Sequence, residues 1–315
     1  MPILRSLMDL SLTKDLRAFL NVEAGIGRSI RPGVSSAQES RNGVDREERV
    51  KTPQQAAEAI EASRKKLRQK ISEVSGGEEV TFVHSYGNRG DDLIYAGARQ
   101  LLAGIPYKEI SARKKLRESG GHTAVMSGGG DWCNAFHSFN PKVFQALERR
   151  FENVILLPTT FDPSVPLVRR ILKRTEATIF VRERESQRRL KELCETEIAH
   201  DTAFFFDYSP YVQEGDGLLN AYRADPETAR APGTEALLPP GNDDISMTCE
   251  SLDEWLWTIS RHEVVHTDRA HVMIAAVLMG KRVEYRASNY FKVPAIAEYS
   301  LQGFRIQRQP DWPAA

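Results

Sequence analysis

The fold is decided by a short apolar run followed by a charged, helix-forming run, seen most clearly in Ala177-Thr-Ile-Phe-Val181-Arg-Glu-Arg-Glu-Ser-Gln-Arg-Arg-Leu-Lys-Glu-Leu-Cys194. The apolar run has the length of a strand, and its lack of polar alternation is typical of a strand buried on both faces. Strands of this kind that alternate with amphipathic helices favour βαβ units around a parallel sheet, so the predicted fold class is α/β.

The same alternation of apolar strands and amphipathic helices continues along the chain on both sides of this segment. Strands are predicted over residues 80–84, 123–126, 154–157, 177–181, 218–223, 263–266 and 282–286. Helices are predicted over residues 53–73, 91–102, 139–151, 165–173, 184–194, 252–260, 268–279 and 291–301. Loops rich in Gly and Pro interrupt the pattern over 208–250, so we divide the chain into an N-terminal extension (1–75) and two doubly wound, Rossmann-like lobes (76–205 and 206–315). Such lobes bind ligands at the carboxyl ends of their strands.

Composition excludes several classes of protein. The 315 residues include 43 basic and 43 acidic side chains. This balance argues against a protein that coats nucleic acid or an anionic membrane. The longest apolar run, 272–279, is far shorter than the ~20 residues that span a bilayer. The N-terminal residues lack the apolar core of a secretory signal. We therefore expect a cytoplasmic protein without a transmembrane segment.

The three cysteines, Cys133, Cys194 and Cys249, are far apart in the chain. No CxxC or Cys/His cluster is present, so a zinc site is not expected. A sparse, odd number of cysteines suits a reducing compartment.

Two glycine-containing segments follow predicted strands. In His84-Ser-Tyr-Gly-Asn-Arg-Gly-Asp-Asp92, an acidic residue either caps the next helix or acts as a general acid or base. In Ser127-Gly-Gly-Gly-Asp-Trp132, backbone N–H groups near a helix start would bind an anion or a sugar hydroxyl. A tightly packed strand–helix corner explains the second segment equally well.

Cationic side chains follow three other predicted strands. Arg182 comes directly after an apolar run and is expected to point into the cleft. Thr267 is expected to be the N-cap of a buried helix whose first turn carries Arg269 and His271. Positive charge is unfavourable at a helix N-terminus, so either a bound anion or Asp268 and neighbouring carboxylates balance it. If an anion does so, Arg269→Ala should abolish turnover and leave the melting temperature unchanged or raised. Lys292, after the last strand, is either a phosphate partner or a surface lysine.

Seven segments, in this order, resemble the polysaccharide pyruvyl transferase family. They are Gly87-Asn-Arg-Gly-Asp91, Ser127-Gly-Gly-Gly-Asp131, Leu156-Leu-Pro-Thr-Thr160, Arg182-Glu-Arg-Glu-Ser186, Asp201-Thr-Ala-Phe204, Thr267-Asp-Arg-Ala-His271 and Asn289-Tyr-Phe-Lys292. The resemblance covers residues 80–301.

The resemblance implies a fold similar to the GT-B glycosyltransferases. It also implies transfer of the enolpyruvyl unit of phosphoenolpyruvate onto two hydroxyls of one glycan sugar, giving a pyruvate ketal and phosphate in exopolysaccharide or cell-surface glycan synthesis. The acceptor would be a glycan or a lipid-linked oligosaccharide, which allows peripheral membrane association. No metal or cofactor is required besides phosphoenolpyruvate as co-substrate.

By motif matching, the donor would bind to Arg182, Arg269, Ala270, His271 and Lys292. The candidates for proton transfer are Asp91 and His271, with the direction left open. The acceptor side would be formed by Asn88, Gly129, Gly130, Asp131 and Thr159.

The sequence departs from the family pattern at Thr159, where Gln is usual, and at Phe161, Ala270 and Ser288. The first two would line the cleft, so the acceptor is the least determined part of the assignment. Two other functions stay open: a GT-B glycosyltransferase that uses a nucleotide sugar, and a non-catalytic glycan-binding relative.

Overall fold

The computed structural model describes residues 52–116, 119–133, 139–230, 233–234 and 237–312. Most of the predicted N-terminal extension, residues 1–51, lies outside the described residues. None of the helices in the described ranges is both long and apolar enough to cross a bilayer.

The larger sheet has seven strands, and each of its strand pairs is parallel. Its order is β2-β1-β3-β5-β6-β7, with β4 pairing beside β5. The strands are β1 (Val80–His84), β2 (Tyr107–Ser111), β3 (Gly121–Met126), β4 (Gly129–Trp132), β5 (Phe151–Phe161), β6 (Thr178–Val181) and β7 (Glu197–Ile198). Parallel pairing requires a crossover between neighbours, and helices of the chain provide it.

The smaller sheet has four parallel strands in the order β11-β10-β9-β8. They are β8 (Leu218–Ala221), β9 (Val264–Thr267), β10 (Arg282–Tyr285) and β11 (Ile306–Arg308). The protein is thus a mixed α/β, Rossmann-like fold with parallel sheets. The lobe boundaries and the likeness to GT-B enzymes stay predictions.

One helix precedes β1, and the others connect the strands of both sheets. They are α1 (Pro53–Ser75), α2 (Arg89–Leu101), α3 (Ala112–Lys115), α4 (Phe139–Glu148), α5 (Pro166–Leu172), α6 (Arg184–Leu190), α7 (Ile245–Thr248), α8 (Leu252–Ser260), α9 (Ala270–Leu278) and α10 (Lys292–Ser300). Two short 3-10 helices, Thr202–Phe205 and Ser209–Tyr211, lie between the sheets in the chain.

Helix α1 packs in the core although it precedes the first strand. Thr52 and Gln55 form a capping box, and Pro53 is the first helical residue, which explains why the helix begins there. Leu67 and Ile71 are fully buried, in the same apolar cluster as Phe82 of β1. The helix therefore contributes directly to the core around the larger sheet.

Several sequence predictions need correction. Strand β2 was not predicted, and β5 begins at Phe151, which was placed in a helix. The glycine triplet does not lead into a helix, because Gly129 and Gly130 begin β4. Thr267 is not an N-cap: it ends β9, and its hydroxyl donates to the carbonyl of Ala221, 2.8 Å away.

Candidate active site

A cavity of about 740 Å³ lies where the carboxyl ends of strands from both sheets meet. Its walls come from β4 and from the segments that follow β1, β2, β3, β4, β8, β9 and β10. The site residues from the sequence that line it are Asn88, Asp91, Gly129, Gly130, Asp131, Arg269, Ala270, His271 and Lys292. Segments far apart in the chain are thus brought together at the edge where open α/β sheets bind ligands.

Two predicted residues lie behind the wall and not on it. The hydroxyl of Thr159 donates to the backbone carbonyl of Leu157 at 2.8 Å, and the residue is fully buried. Arg182 is also fully buried. Direct contact of Thr159 with an acceptor is therefore not available in this arrangement.

Two hydrogen bonds, from Nε and Nη1, hold one edge of the guanidinium of Arg182. Its Nε donates to the hydroxyl of Thr160 at 2.8 Å, and its Nη1 donates to Oδ2 of Asp201 at 2.5 Å. Burial alone would lower the pKa of Arg182, but the charge of Asp201 raises it above its ordinary value. The buried Nη2 has no hydrogen-bond partner among the described residues.

Gly130 separates that free Nη2 from the cavity. A Cβ atom on Gly130 would lie 2.7 Å from Nη2 of Arg182 and 3.1 Å from Nζ of Lys292. Any larger side chain here would collide with both cationic groups. The absence of a side chain therefore brings two cations up to the cavity wall.

His271 lies beside the same ion pair. Its Nε2 is 3.5 Å from Oδ2 of Asp201 and 3.3 Å from Nη1 of Arg182. Burial would raise the pKa of Asp201, but Arg182 and His271 hold it well below its usual range. A Cβ on Gly90 would lie 2.8 Å from Nδ1, so the imidazole packs closely on the start of α2. Asp201 thus contacts the imidazole of His271 at Nε2.

Arg269 is neutralised by the protein's own carboxylates. Its Nε and Nη2 donate to the two oxygens of Asp244 at 2.5 and 2.6 Å, and Nη2 also donates to Asp225 at 2.8 Å. The sequence left carboxylates open as the alternative to an anion, with Asp268 as the nearest candidate. The structure assigns this role to Asp225 and Asp244, whereas Asp268 accepts from the backbone N–H of Arg223.

Lys292 and Arg223 share a buried carboxylate. Nζ of Lys292 donates to both oxygens of Glu227 at 2.6 and 2.7 Å, and Arg223 also contacts Glu227. Burial lowers the pKa of Lys292, while Glu227 opposes the shift. Lys292 is thus a buried residue of the cavity wall and not a surface lysine.

Asp91 and Asn88 cap helix α2. Oδ1 of Asn88 accepts from the N–H of Gly90 at 2.8 Å, and Oδ2 of Asp91 accepts from the N–H of Asn88 at 2.9 Å. This reciprocal pair is a capping box. The capping interpretation is confirmed, and because both residues also line the cavity, a role for Asp91 in proton transfer stays a prediction.

Asp131 differs from the other carboxylates of the site. Its Oδ1 is buried and has no hydrogen-bond partner among the described residues. Burial raises the pKa of Asp131 to about 7, and a hydrogen bond with Asn140 only partly opposes this. The carboxyl is therefore partly protonated at neutral pH.

An exposed aromatic pair lies at the mouth of the cavity, which sequence reasoning missed. Tyr86 is 73% exposed, and Phe139 is 37% exposed. The guanidinium carbon of Arg113 lies 5.1 Å from the ring centre of Tyr86 and 5.4 Å from that of Phe139. A lone Tyr in a loop carries no sequence signal, so only the fold reveals this pair.

The carboxylate partners were also missed. Asp201 was noted only as part of a motif, and Asp225, Glu227 and Asp244 were in a segment interpreted as irregular loop. Within the described ranges, no group of three or more His, Cys, Asp or Glu side chains is arranged to hold a metal ion.

Comparisons with known proteins agree with this architecture. A solved structure of a functionally uncharacterised protein from Klebsiella pneumoniae is similar, with a TM-score of 0.61 and 23% identity over 76% of this chain and 94% of that chain. A search of the curated proteins gives no match. The family model described as polysaccharide pyruvyl transferase matches residues 88–283, which include the wall segments after β8 and β9. The chain belongs to the polysaccharide pyruvyl transferase family.

Proposed function

We propose that the protein transfers the enolpyruvyl group of phosphoenolpyruvate to two hydroxyls of a glycan sugar and releases phosphate, with no further cofactor. Family membership supports pyruvyl transfer to glycans. The observation that carries the choice of donor is the pair of cations on the cavity wall, Arg269 and Lys292, with Arg182 directly behind Gly130.

Each of these cations already has a carboxylate partner, so the donor must bind to the N–H groups that those carboxylates do not use. A guanidinium has five N–H donors. Arg182 uses Nε and Nη1, which leaves Nη2 for the donor. Arg269 uses Nε and Nη2, which leaves Nη1. The carboxylates would orient the guanidinium groups, and the remaining N–H groups would bind the phosphate and carboxylate of the donor, at about 1.5–3 kcal/mol for each charge-assisted hydrogen bond.

The reaction needs one acid and one base. A proton adds to the methylene carbon of the donor, and the first sugar hydroxyl attacks C2 as its proton leaves to a base. The C–O bond to phosphate then breaks, and the second hydroxyl attacks C2. In the overall reaction, one of the two hydroxyl protons therefore replaces the proton added to the methylene carbon. The other protonates the released phosphate.

His271 is the proposed base. Its Nε2 faces the ion pair of Asp201 and Arg182, so Nδ1 is the nitrogen proposed to accept the proton. Histidine is the side chain that most often acts as a general base in enzymes. Nδ1 lies beside Gly90, at the wall of the cavity.

The acceptor would enter through the mouth that carries Tyr86, Arg113 and Phe139. Sugars present apolar C–H faces as well as hydroxyls, and an exposed ring next to a catalytic cavity offers a surface for such a face. Tyr86 therefore adds to the acceptor side proposed from the sequence.

The test is phosphate release from phosphoenolpyruvate with a panel of simple and lipid-linked glycosides, with the ketal product identified by NMR. We expect release that depends on one acceptor class and is lost in Arg182→Lys, because a lysine cannot replace the forked guanidinium geometry. The matched control is Arg188→Lys on the solvent-exposed face of α6, which should keep full turnover. Stabilisation by a nucleoside diphosphate, with none by phosphoenolpyruvate, would instead favour a nucleotide-sugar glycosyltransferase.

A further inference from the structure

Asp131 is presented to the cavity by a strand that is firmly anchored. In β4, Trp132 is fully buried, with its ring 5.4 Å from that of Phe144 and 5.0 Å from that of Phe161. Neighbouring residues of a strand face opposite sides. Trp132 therefore fixes β4 in the core while Asp131 lines the cavity.

The surroundings of Asp131 favour its protonated form. The charges of Asp91 from α2 and Glu227 from the segment after β8 raise the pKa of Asp131, as does burial. The charge of Asp131 in turn raises the pKa of Tyr95 from α2. Asn140 of α4 provides a hydrogen bond.

The two cations that approach Gly130, the residue before Asp131, are each paired with another carboxylate. Arg182 and Lys292 approach the adjacent Gly130, but Arg182 is paired with Asp201, and Lys292 is paired with Glu227. Oδ1 of Asp131 is buried and has no hydrogen-bond partner among the described residues, which disfavours the charged form of the carboxyl.

We infer that Asp131 is the general acid that protonates the methylene carbon of the donor. This inference rests on the proposed function, in which the donor binds to the cations around Gly130, one residue away. The proton leaves the carboxyl of Asp131, the electron pair of the C2–C3 double bond forms the new C–H bond, and C2 becomes an oxocarbenium centre. The proton lost by the first sugar hydroxyl returns to Asp131 through His271 or solvent, which restores the acid.

The pH dependence follows from this assignment. The burial that raises the pKa of Asp131 to about 7 keeps the acid protonated below that pH. Turnover should therefore fall as pH rises through about 7. The same shift affects stability: the folded state loses stability between the ordinary pKa of Asp, near 3.9, and about 7, because over that range the unfolded chain releases the proton and the folded state keeps it.

The experiment compares the wild type with Asp131→Asn, which keeps the shape and cannot donate the proton. We expect phosphate release to fall about 10²–10⁴-fold, as for loss of a general acid, with unchanged binding of phosphoenolpyruvate by calorimetry. The control is Asp216→Asn, which alters an exposed carboxylate outside the cavity and should leave turnover unchanged.

A second measurement does not depend on the acceptor. Melting temperatures from pH 5 to pH 8 should fall more steeply for the wild type than for Asp131→Asn, so that the variant is the more stable protein at pH 8. Parallel melting curves, or full phosphate release by the variant, would overturn the assignment of Asp131 alone. Absence of both phosphoenolpyruvate binding and phosphate release in the wild type would overturn the proposed function together with this inference.

Discussion

Replacing Arg269 with alanine tests whether the ion pairs of the cavity wall also stabilise the fold. The sequence alone predicts loss of turnover with an unchanged or raised melting temperature. The structure changes that expectation, because Arg269 makes three hydrogen bonds to the carboxylates of Asp225 and Asp244. Removing it leaves Asp244 buried without its main partner.

The magnitude follows from the burial of both partners. Arg269 is 4% exposed and Asp244 is 7% exposed. Breaking such a pair by removing one partner costs about 3–5 kcal/mol. For a chain of this size, about 2 °C of melting temperature is lost per kcal/mol, which gives a fall of about 6–10 °C.

Thermal unfolding followed by circular dichroism measures this change, with the free energy of unfolding taken from urea titration. The double variant Arg269→Ala/Asp244→Asn should recover part of the loss, because the amide leaves no buried charge. Arg188→Ala, which breaks a solvent-exposed pair with Glu185, is the control and should melt with the wild type. If Arg269→Ala also melts with the wild type, the pair does not stabilise the fold as argued.

The other predictions concern glycine contacts and the first helix. Gly130→Ala should weaken phosphoenolpyruvate binding about tenfold to a hundredfold, measured by calorimetry, since the methyl group displaces Arg182 or Lys292; unchanged affinity would contradict the proposed position of the donor. Gly97→Ala should fail to accumulate as soluble protein, because its Cβ would lie 1.9 Å from the carbonyl oxygen of Thr202; a normal yield and melting temperature would refute this contact. Leu67→Ala should destabilise the protein by about 2–5 kcal/mol in urea titration with donor affinity retained; a smaller loss would mean that α1 is not part of the core.

The strands of the interior were predictable because burial on both faces produces apolar runs. Val80–His84 and Val264–Thr267 carry this signal and form β1 and β9. Strand β2, Tyr107–Ser111, lies at the edge of its sheet and keeps exposed or half-exposed side chains at Lys108 and Glu109. Its polar sequence therefore resembles a loop.

The cations of the site were predictable, but their partners were not. Arg182, Arg269 and Lys292 follow strands, so the parallel topology alone brings them to one edge. Their carboxylate partners are 19 to 65 residues away in the chain, and only packing reveals which oxygen faces which nitrogen. The raised pKa of Asp131 likewise depends on burial, which no local pattern encodes.

The central claim is that a doubly anionic three-carbon donor binds in the cavity shared by the two sheets. A crystal structure with phosphoenolpyruvate at saturating concentration tests this most directly. We expect the phosphate and carboxylate to contact Nη2 of Arg182, Nη1 of Arg269 and Lys292, with the methylene carbon facing Asp131. An empty cavity, or a donor bound elsewhere on the molecule, would contradict the account.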